Sequence, residues 1–238
     1  MKDIVATIII EIKNKTEQEL LKNVDYSRRK NINKAMASKL YFEEASSESD
    51  FIQAHKIYYN VMVEGGSVAL NYLEWMKYVN PSKNKTFVVK HESKIIGCFV
   101  LGEITRRFYN LDSDEKGVRP LVYACDKNYN DFRPNDFMYW NTVLYALKNN
   151  LSFVDLAGYQ LKPRGHLVGV NSFKEKWGGQ IFFYHINYPF FRAIGRKLVR
   201  RFDIFWSINT KLKELGFKKI LYYPENWKDP AHENNKDE

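Results

Sequence analysis

The sequence predicts an α+β protein built on a mixed β-sheet, in which one parallel βαβ unit interrupts strands that otherwise run antiparallel. Three observations carry that prediction. The elements read in the order strand, helices, hairpin, strand, helix, strand, short helix, strand, whereas a doubly wound fold would alternate strand and helix throughout. The stretch from Leu121 to Leu156 packs strand, helix and strand into about 35 residues, the scale of a parallel crossover. The 238 residues, 45% of them hydrophobic, are enough to bury roughly 70% of the surface of the unfolded chain in one large core.

The β-branched run Ala6 to Ile12 reads as the first strand. Thr16 with Glu19 forms a capping box for a helix carrying Leu20, Leu21 and Val24. From Tyr26 to Leu40 the chain carries Arg28, Arg29, Lys30, Lys34 and Lys39 without an acid, and Ile32, Ala35, Met36 and Leu40 recur at helical spacing. That is a basic helix with one buried face. Ser49 or Asp50 is expected to cap the next helix, through Phe51, Ala54, Tyr58 and Val61, which Gly65-Gly66 ends. A further helix is expected from about Ser67 to Val79, before Pro81.

Thr86–Lys90 and Lys94–Ile104 read as a hairpin closed at His91 to Ser93. Leu121–Cys125 is the next strand, Asp136–Leu147 a buried helix and Leu151–Leu156 the second strand of the parallel pair. A loop from Gly158 to Val170 leads to a short helix over Ser172–Trp177, closed by Gly178-Gly179, and Gln180–Ile186 is the last strand. Domain boundaries follow at 1–187, a cationic helical extension at 188–223 and a polar tail at 224–238.

Cys98 and Cys125 sit inside apolar runs and read as buried thiols of a reducing compartment. No apolar stretch approaches the ~18 residues of a membrane span, and no signal-peptide pattern opens the chain, so a cytoplasmic protein is expected. The five histidines lack ligand spacing; only His166, in the loop before the last helix, is placed for acid–base work. No metal is expected. Lys and Arg number 37 against 28 Asp and Glu, a net +9 that favours an anionic partner: nucleic acid, phosphate or a lipid headgroup.

The order of elements matches the acyl-N-acyltransferase (GNAT-type) architecture. Three stretches sharpen this: Asp25 to Ala35; Phe137 to Leu147 leading to Phe153–Gly158; and Val170 to Gly179, which holds Phe173-Lys174 before a glycine pair. In this order and spacing, over about residues 5 to 187, the chain resembles the FemA/FemB/FemX family of peptidoglycan-bridge aminoacyltransferases. The resemblance implies acyl transfer to an amine, from an aminoacyl-tRNA to a cell-wall precursor peptide. The family's best-known members carry two tandem domains and this chain has room for one, so a partner chain or homodimer would supply the missing half.

By that resemblance Lys174 holds the oxyanion of the tetrahedral intermediate or the donor's 3′ end, and Phe173 shapes the pocket; on residue type alone Lys174 reads as a solvated lysine on a short helix. Asp155 stands in an apolar strand, where an unpaired charge is costly. It reads either as a general base that orients the amine or as a cap on the Ala157-Gly158 turn. Tyr123, Tyr139, Trp140 and Asn141 flank the cleft or fill the core.

A CoA enzyme needs backbone N–H groups free for a pyrophosphate. The stretch Asn130 to Phe137 has no glycine, holds two aspartates before Phe137, and includes Pro134; Arg133 is its one group able to hold a phosphate. Acetyl-CoA is therefore the alternative donor, and no cofactor is expected. Arg28, Arg29 and Lys34 suit a phosphate backbone such as tRNA, or form a solvated face. Between Phe190 and Ile208 an apolar arc of Phe191, Ile194, Leu198, Phe202 and Phe205 opposes five cations. Such a segment lies on an anionic membrane at the inner face, packs on the domain, or joins a second subunit. A binding module without catalysis is the rival reading from another class.

Overall fold

Seven strands join in one continuous sheet. The computed structural model describes residues 2–65, 67–188 and 194–195. In chain order the elements are β1 (Lys2–Glu11), α1 (Glu17–Asn23), α2 (Tyr26–Ala37), β2 (Leu40–Glu44), α3 (Glu48–Glu64), α4 (Tyr72–Val79), β3 (Lys85–His91), β4 (Lys94–Thr105), β5 (Lys116–Cys125), α5 (Pro134–Lys148), β6 (Phe153–Asp155), α6 (His166–Glu175) and β7 (Gln180–Asn187). Single 3₁₀ segments cover Arg106–Tyr109 and Lys127–Phe132. The sheet order is β2-β3-β4-β5-β6-β1-β7. Only β5 and β6 run parallel; every other neighbouring pair is antiparallel.

The sheet's two faces are covered differently. On one, α1, α2 and α5 pack Leu20, Ile32, Met138 and Trp140 against Ile8, Ile10, Phe99, Val118 and Val154. On the other, α3 and α4 bring Tyr58, Trp75 and Val79 onto Val88, Cys98 and Val100. Beside them the 3₁₀ segment places Tyr109 on Ile9, Phe153 and Tyr184. Both thiols are free and buried, and burial pushes Cys98 up to about 12. No helix among the described residues is long and apolar enough to cross a membrane.

Several boundaries differ from expectation. β2 is an added strand: Lys39, at φ 52, turns the chain out of α2, and Leu40 continues the helix's apolar spacing so closely that its five-residue strand is hidden. Ion pairs from Lys90 to Glu43 and Lys85 to Glu44 hold it at the sheet edge. The cap of α3 is Ser47, with Asp50 the reciprocal partner of its capping box. α4 starts at Tyr72, capped by Asn71. β5 begins at Lys116; Pro120, which has no N–H to give, stands where the register shifts against Leu101. α6 begins at His166, six residues before the expected start, after Gly165 at φ 53.

One irregularity positions the site. β5 pairs with β6 only at Gly117↔Phe153 and Val118↔Val154. A Cβ on Gly117 would stand 2.4 Å from the Phe153 ring, so the two strands touch closely there. Beyond that point β5 stays with β4 as far as Cys125, while the chain leaving β6 stays with β1, through Leu156 N–H to the Ile8 carbonyl and Tyr159 N–H to the Ala6 carbonyl. The strands therefore part into a fork open at their carboxyl ends.

Candidate active site

The fork receives Lys174 from α6. That helix is seated by Asn171, whose buried amide bonds both the N–H and the carbonyl of Gln160. Lys174 is 3% exposed. Its Nζ donates to the carbonyls of Ala157 and Gly158, each at 2.8 Å. An ammonium has three N–H donors; two are fixed on the turn, which leaves one N–H, or one lone pair after deprotonation, for a third partner. Burial pushes Lys174 down to about 8, opposed by the charge of Asp155 and reinforced by Arg119.

Asp155, wholly buried, faces the 3₁₀ segment. It accepts from the Thr7 hydroxyl, from the Tyr109 hydroxyl at 2.6 Å and from the Ala157 N–H at 2.7 Å. Arg119 Nε lies 3.8 Å from its Oδ2, and the same guanidinium stacks over Phe108. Desolvation, then Asp155, push the Tyr109 hydroxyl far up. Burial raises Tyr184 to about 12.

An aromatic wall closes the fork toward the helices. Tyr139 on α5 packs edge-on to Phe173 at 5.1 Å, to Tyr123 at 5.8 Å and to Phe99, and lies 5.5 Å from Trp177. Burial drives its hydroxyl well up, and the neighbouring Tyr123 hydroxyl adds to the shift. Tyr123 is 40% exposed as a residue, so this pair runs from surface to interior. Arg28 on α2 lies over Phe173 at 5.0 Å and pairs with Asp136 at 2.9 Å.

The three stretches singled out in the sequence thus converge. Arg28 ties α2 to α5, Tyr139 ties α5 to α6, and the Asp25 N–H bonds the Lys176 carbonyl at 2.9 Å. Gly178, at φ 75, completes the junction: a Cβ there would stand 2.5 Å from the Asn23 carbonyl oxygen.

Other expected residues lie elsewhere. Trp140 is 2% exposed in the main core, and Asn141 donates to the Phe137 carbonyl of its own helix. Arg133, exposed at φ 58, precedes α5, with its charge acting on Asp136. Arg29 bonds the Lys22 carbonyl, and Lys34 is exposed. The cationic arc between Phe190 and Ile208 lies outside the described residues apart from positions 194 and 195, and so does the tail.

No protein-family model and no curated protein matches the sequence. Solved structures do. FemX superposes over 76% of this chain and 61% of its own, with a TM-score of 0.61 at 13% identity. The C-terminal domain of an Agrobacterium fabrum protein, provisionally described as a lysylphosphatidylglycerol synthetase, gives 0.55 over 78% and 60%, at 10% identity. A GCN5-related glucosamine N-acetyltransferase region of a fungal multi-domain β-N-acetylglucosaminidase gives 0.51 over 77% of this chain and 20% of that one, at 8% identity. This is the GNAT acyltransferase fold. The chain spans about three fifths of FemX, and identities this low carry the fold alone.

Four residues of the GNAT-fold fork escaped the sequence reading: Thr7, Tyr109, Arg119 and Trp177. Arg119 had a usable signal. It stands in an apolar strand as Asp155 does, and two buried opposite charges on neighbouring strands are cheaper together than apart. Tyr109 had none, because a 3₁₀ turn in a strand connection leaves no periodicity to read.

Proposed function

We propose that this chain is an N-acyltransferase that moves an aminoacyl or acyl group onto an amine of a cell-envelope or polysaccharide precursor, with aminoacyl-tRNA as donor. The observation that carries the reading is a desolvated Lys174, two of its N–H groups spent on the chain, seated at the carboxyl ends of the parallel pair in an acyltransferase fold. In this reaction the acceptor nitrogen attacks the ester carbonyl carbon, the C–N bond forms, the C–O bond to the donor ribose breaks, and an amine proton ends on the leaving oxygen. The remaining N–H of Lys174 meets the transient oxyanion, in surroundings of low dielectric where such a bond is worth most. Phe173, Tyr139 and Tyr123 wall the acyl group.

The start of α5 favours tRNA over CoA. Pro134 gives no N–H, and buried Asp136 already sets a carboxylate in the first turn, held by Arg28 and Asn31. A pyrophosphate would meet that charge rather than a vacant dipole. Arg28 borders the same side through its pair with Asp136, and Arg28 and Arg29 suit the tRNA backbone. The name of the lysylphosphatidylglycerol synthetase supports an aminoacyl group, and the resemblance to the FemA/FemB/FemX family supports a cell-wall acceptor. The cation-rich Phe190 to Ile208 sequence brings the enzyme to anionic membrane at the inner face, or to a second copy of the chain.

The test is transfer of radiolabel from total aminoacylated tRNA to a lysine-bearing cell-wall precursor peptide. Label in the peptide, reduced 10²–10³-fold in Lys174→Met, supports the proposal. Label delivered only from acetyl-CoA moves the donor to CoA, and no transfer from either source leaves a binding module.

A further inference from the structure

The carboxylate of Asp155 is largely committed within the fold. Its two oxygens offer about four acceptor directions. Thr7, Tyr109 and the Ala157 N–H take three, and Arg119 stands against the same carboxylate. A general base needs a lone pair aimed at substrate, and this one has its partners within the fold. One of the three bonds leads back to the fork. Ala157 holds φ 57 without being glycine, a left-handed conformation disfavoured for a residue with a Cβ, and its N–H is anchored on Asp155 Oδ1 at 2.7 Å. The carbonyl of that residue and of the next are the two that receive Lys174.

We propose that Asp155 is the positioning residue of the site: by clamping the Ala157-Gly158 turn it fixes the two carbonyls that aim the Lys174 ammonium, and it takes no proton from substrate. Thr7 from β1 and Tyr109 from the 3₁₀ segment brace the clamp from two other elements. Two carbonyls on a held turn give Nζ one direction, which a long flexible side chain otherwise lacks. This deepens the acyl-transfer reading and rests on Lys174 being its working group. The charged groups acting on Lys174 are Asp155 from β6 and Arg119 from β5.

The test follows Lys174 itself, so it reads out whether or not the transfer assay succeeds. The full chain is pulsed with acetic anhydride from pH 6.5 to 10.5, and labelling at Lys174 is quantified by peptide mass spectrometry. The wild type should label slowly with a midpoint near 8. Asp155→Ala frees the turn, so labelling should rise at least tenfold and the midpoint should climb toward an ordinary lysine. Asp155→Asn keeps an oxygen for the Ala157 N–H but loses the charge; labelling should stay slow while the midpoint drops below the wild type. Acyl transfer should survive in Asp155→Asn within about tenfold, where a general base would be lost as fully as in Asp155→Ala. An alanine variant that labels like the wild type, or an asparagine variant as open as alanine, overturns the proposal. Should Asp155→Ala fail to fold, Asp155→Asn alone decides: an unmoved midpoint or a tenfold faster rate refutes the clamp.

Discussion

Burial of Lys174 leaves a mark on stability that a titration can read. The folded chain holds this amine at about 8 against an ordinary 10.5. Between those values the unfolded chain binds a proton that the folded chain lacks, so raising the pH favours folding. The whole gap, at 1.36 kcal/mol per pH unit, is about 3.4 kcal/mol. Titration curves with these two midpoints give about 2 kcal/mol of it between pH 7.0 and 9.5. Tyrosines confound the wild type alone, since Tyr109, Tyr139 and Tyr184 are raised and act in the opposite sense. The comparison with Lys174→Met cancels them. Loss of the carbonyl bonds offsets the variant by an amount independent of pH, and the slope belongs to the amine. Urea unfolding of both proteins at five pH values should show the difference, wild type minus variant, rising by about 2 kcal/mol in favour of the wild type. A flat difference would refute the burial of a charged Lys174.

Three further outcomes are expected. Arg28→Met strands Asp136 beside its helix; with Arg28 still one-fifth exposed, the cost is about 2–3 kcal/mol at pH 7 rather than the 3–5 of a fully buried pair. Burial already raises Asp136, a shift that favours folding at low pH and loses that effect as pH rises, so the variant's penalty should shrink near pH 4 in the same urea assay. Gly178→Ala meets both a positive φ and the Asn23 backbone and should cost about 2 kcal/mol or more by thermal unfolding. Calorimetry should detect no acetyl-CoA binding; a micromolar dissociation constant, about −8 kcal/mol, would restore the CoA reading.

The parts of this fold that were legible are those with a local period. The Thr16 capping box and the β3–β4 hairpin follow from spacing alone, and so does α5, whose apolar residues recur along its length. β2 was not legible, because Leu40 satisfies the helical and the extended pattern alike. Neither was the true length of α6, whose first turn follows a glycine without a capping side chain. For the site, Lys174 and Phe173 came from a resemblance, and the structure adds what residue type cannot: a lysine between two acids' worth of sequence, Asp155 and Glu175, finds its partners in two carbonyls. Tyr139 and Trp140 are neighbours in sequence with the same apolar character, yet one reaches the fork and the other the core, a distinction that only the pitch of α5 decides.

The position of β1 has a consequence for how the molecule comes into being. β1 is made well before both of its neighbours, with Ile9 opposite Asp155 and Thr7 opposite Phe182. At translation rates of about 5–20 residues per second, its inner neighbour emerges roughly 7–30 s after it. During that interval Ile8, Ile9 and Ile10 form a β-branched run with no ladder to join, the kind of segment that pairs with other nascent chains. Pairings this distant in sequence also close slowly once the chain is free. Slower accumulation at low temperature, or a chaperone that shields β1, should therefore raise the soluble yield, and a product released before Phe153 would carry β1 without either of its neighbours.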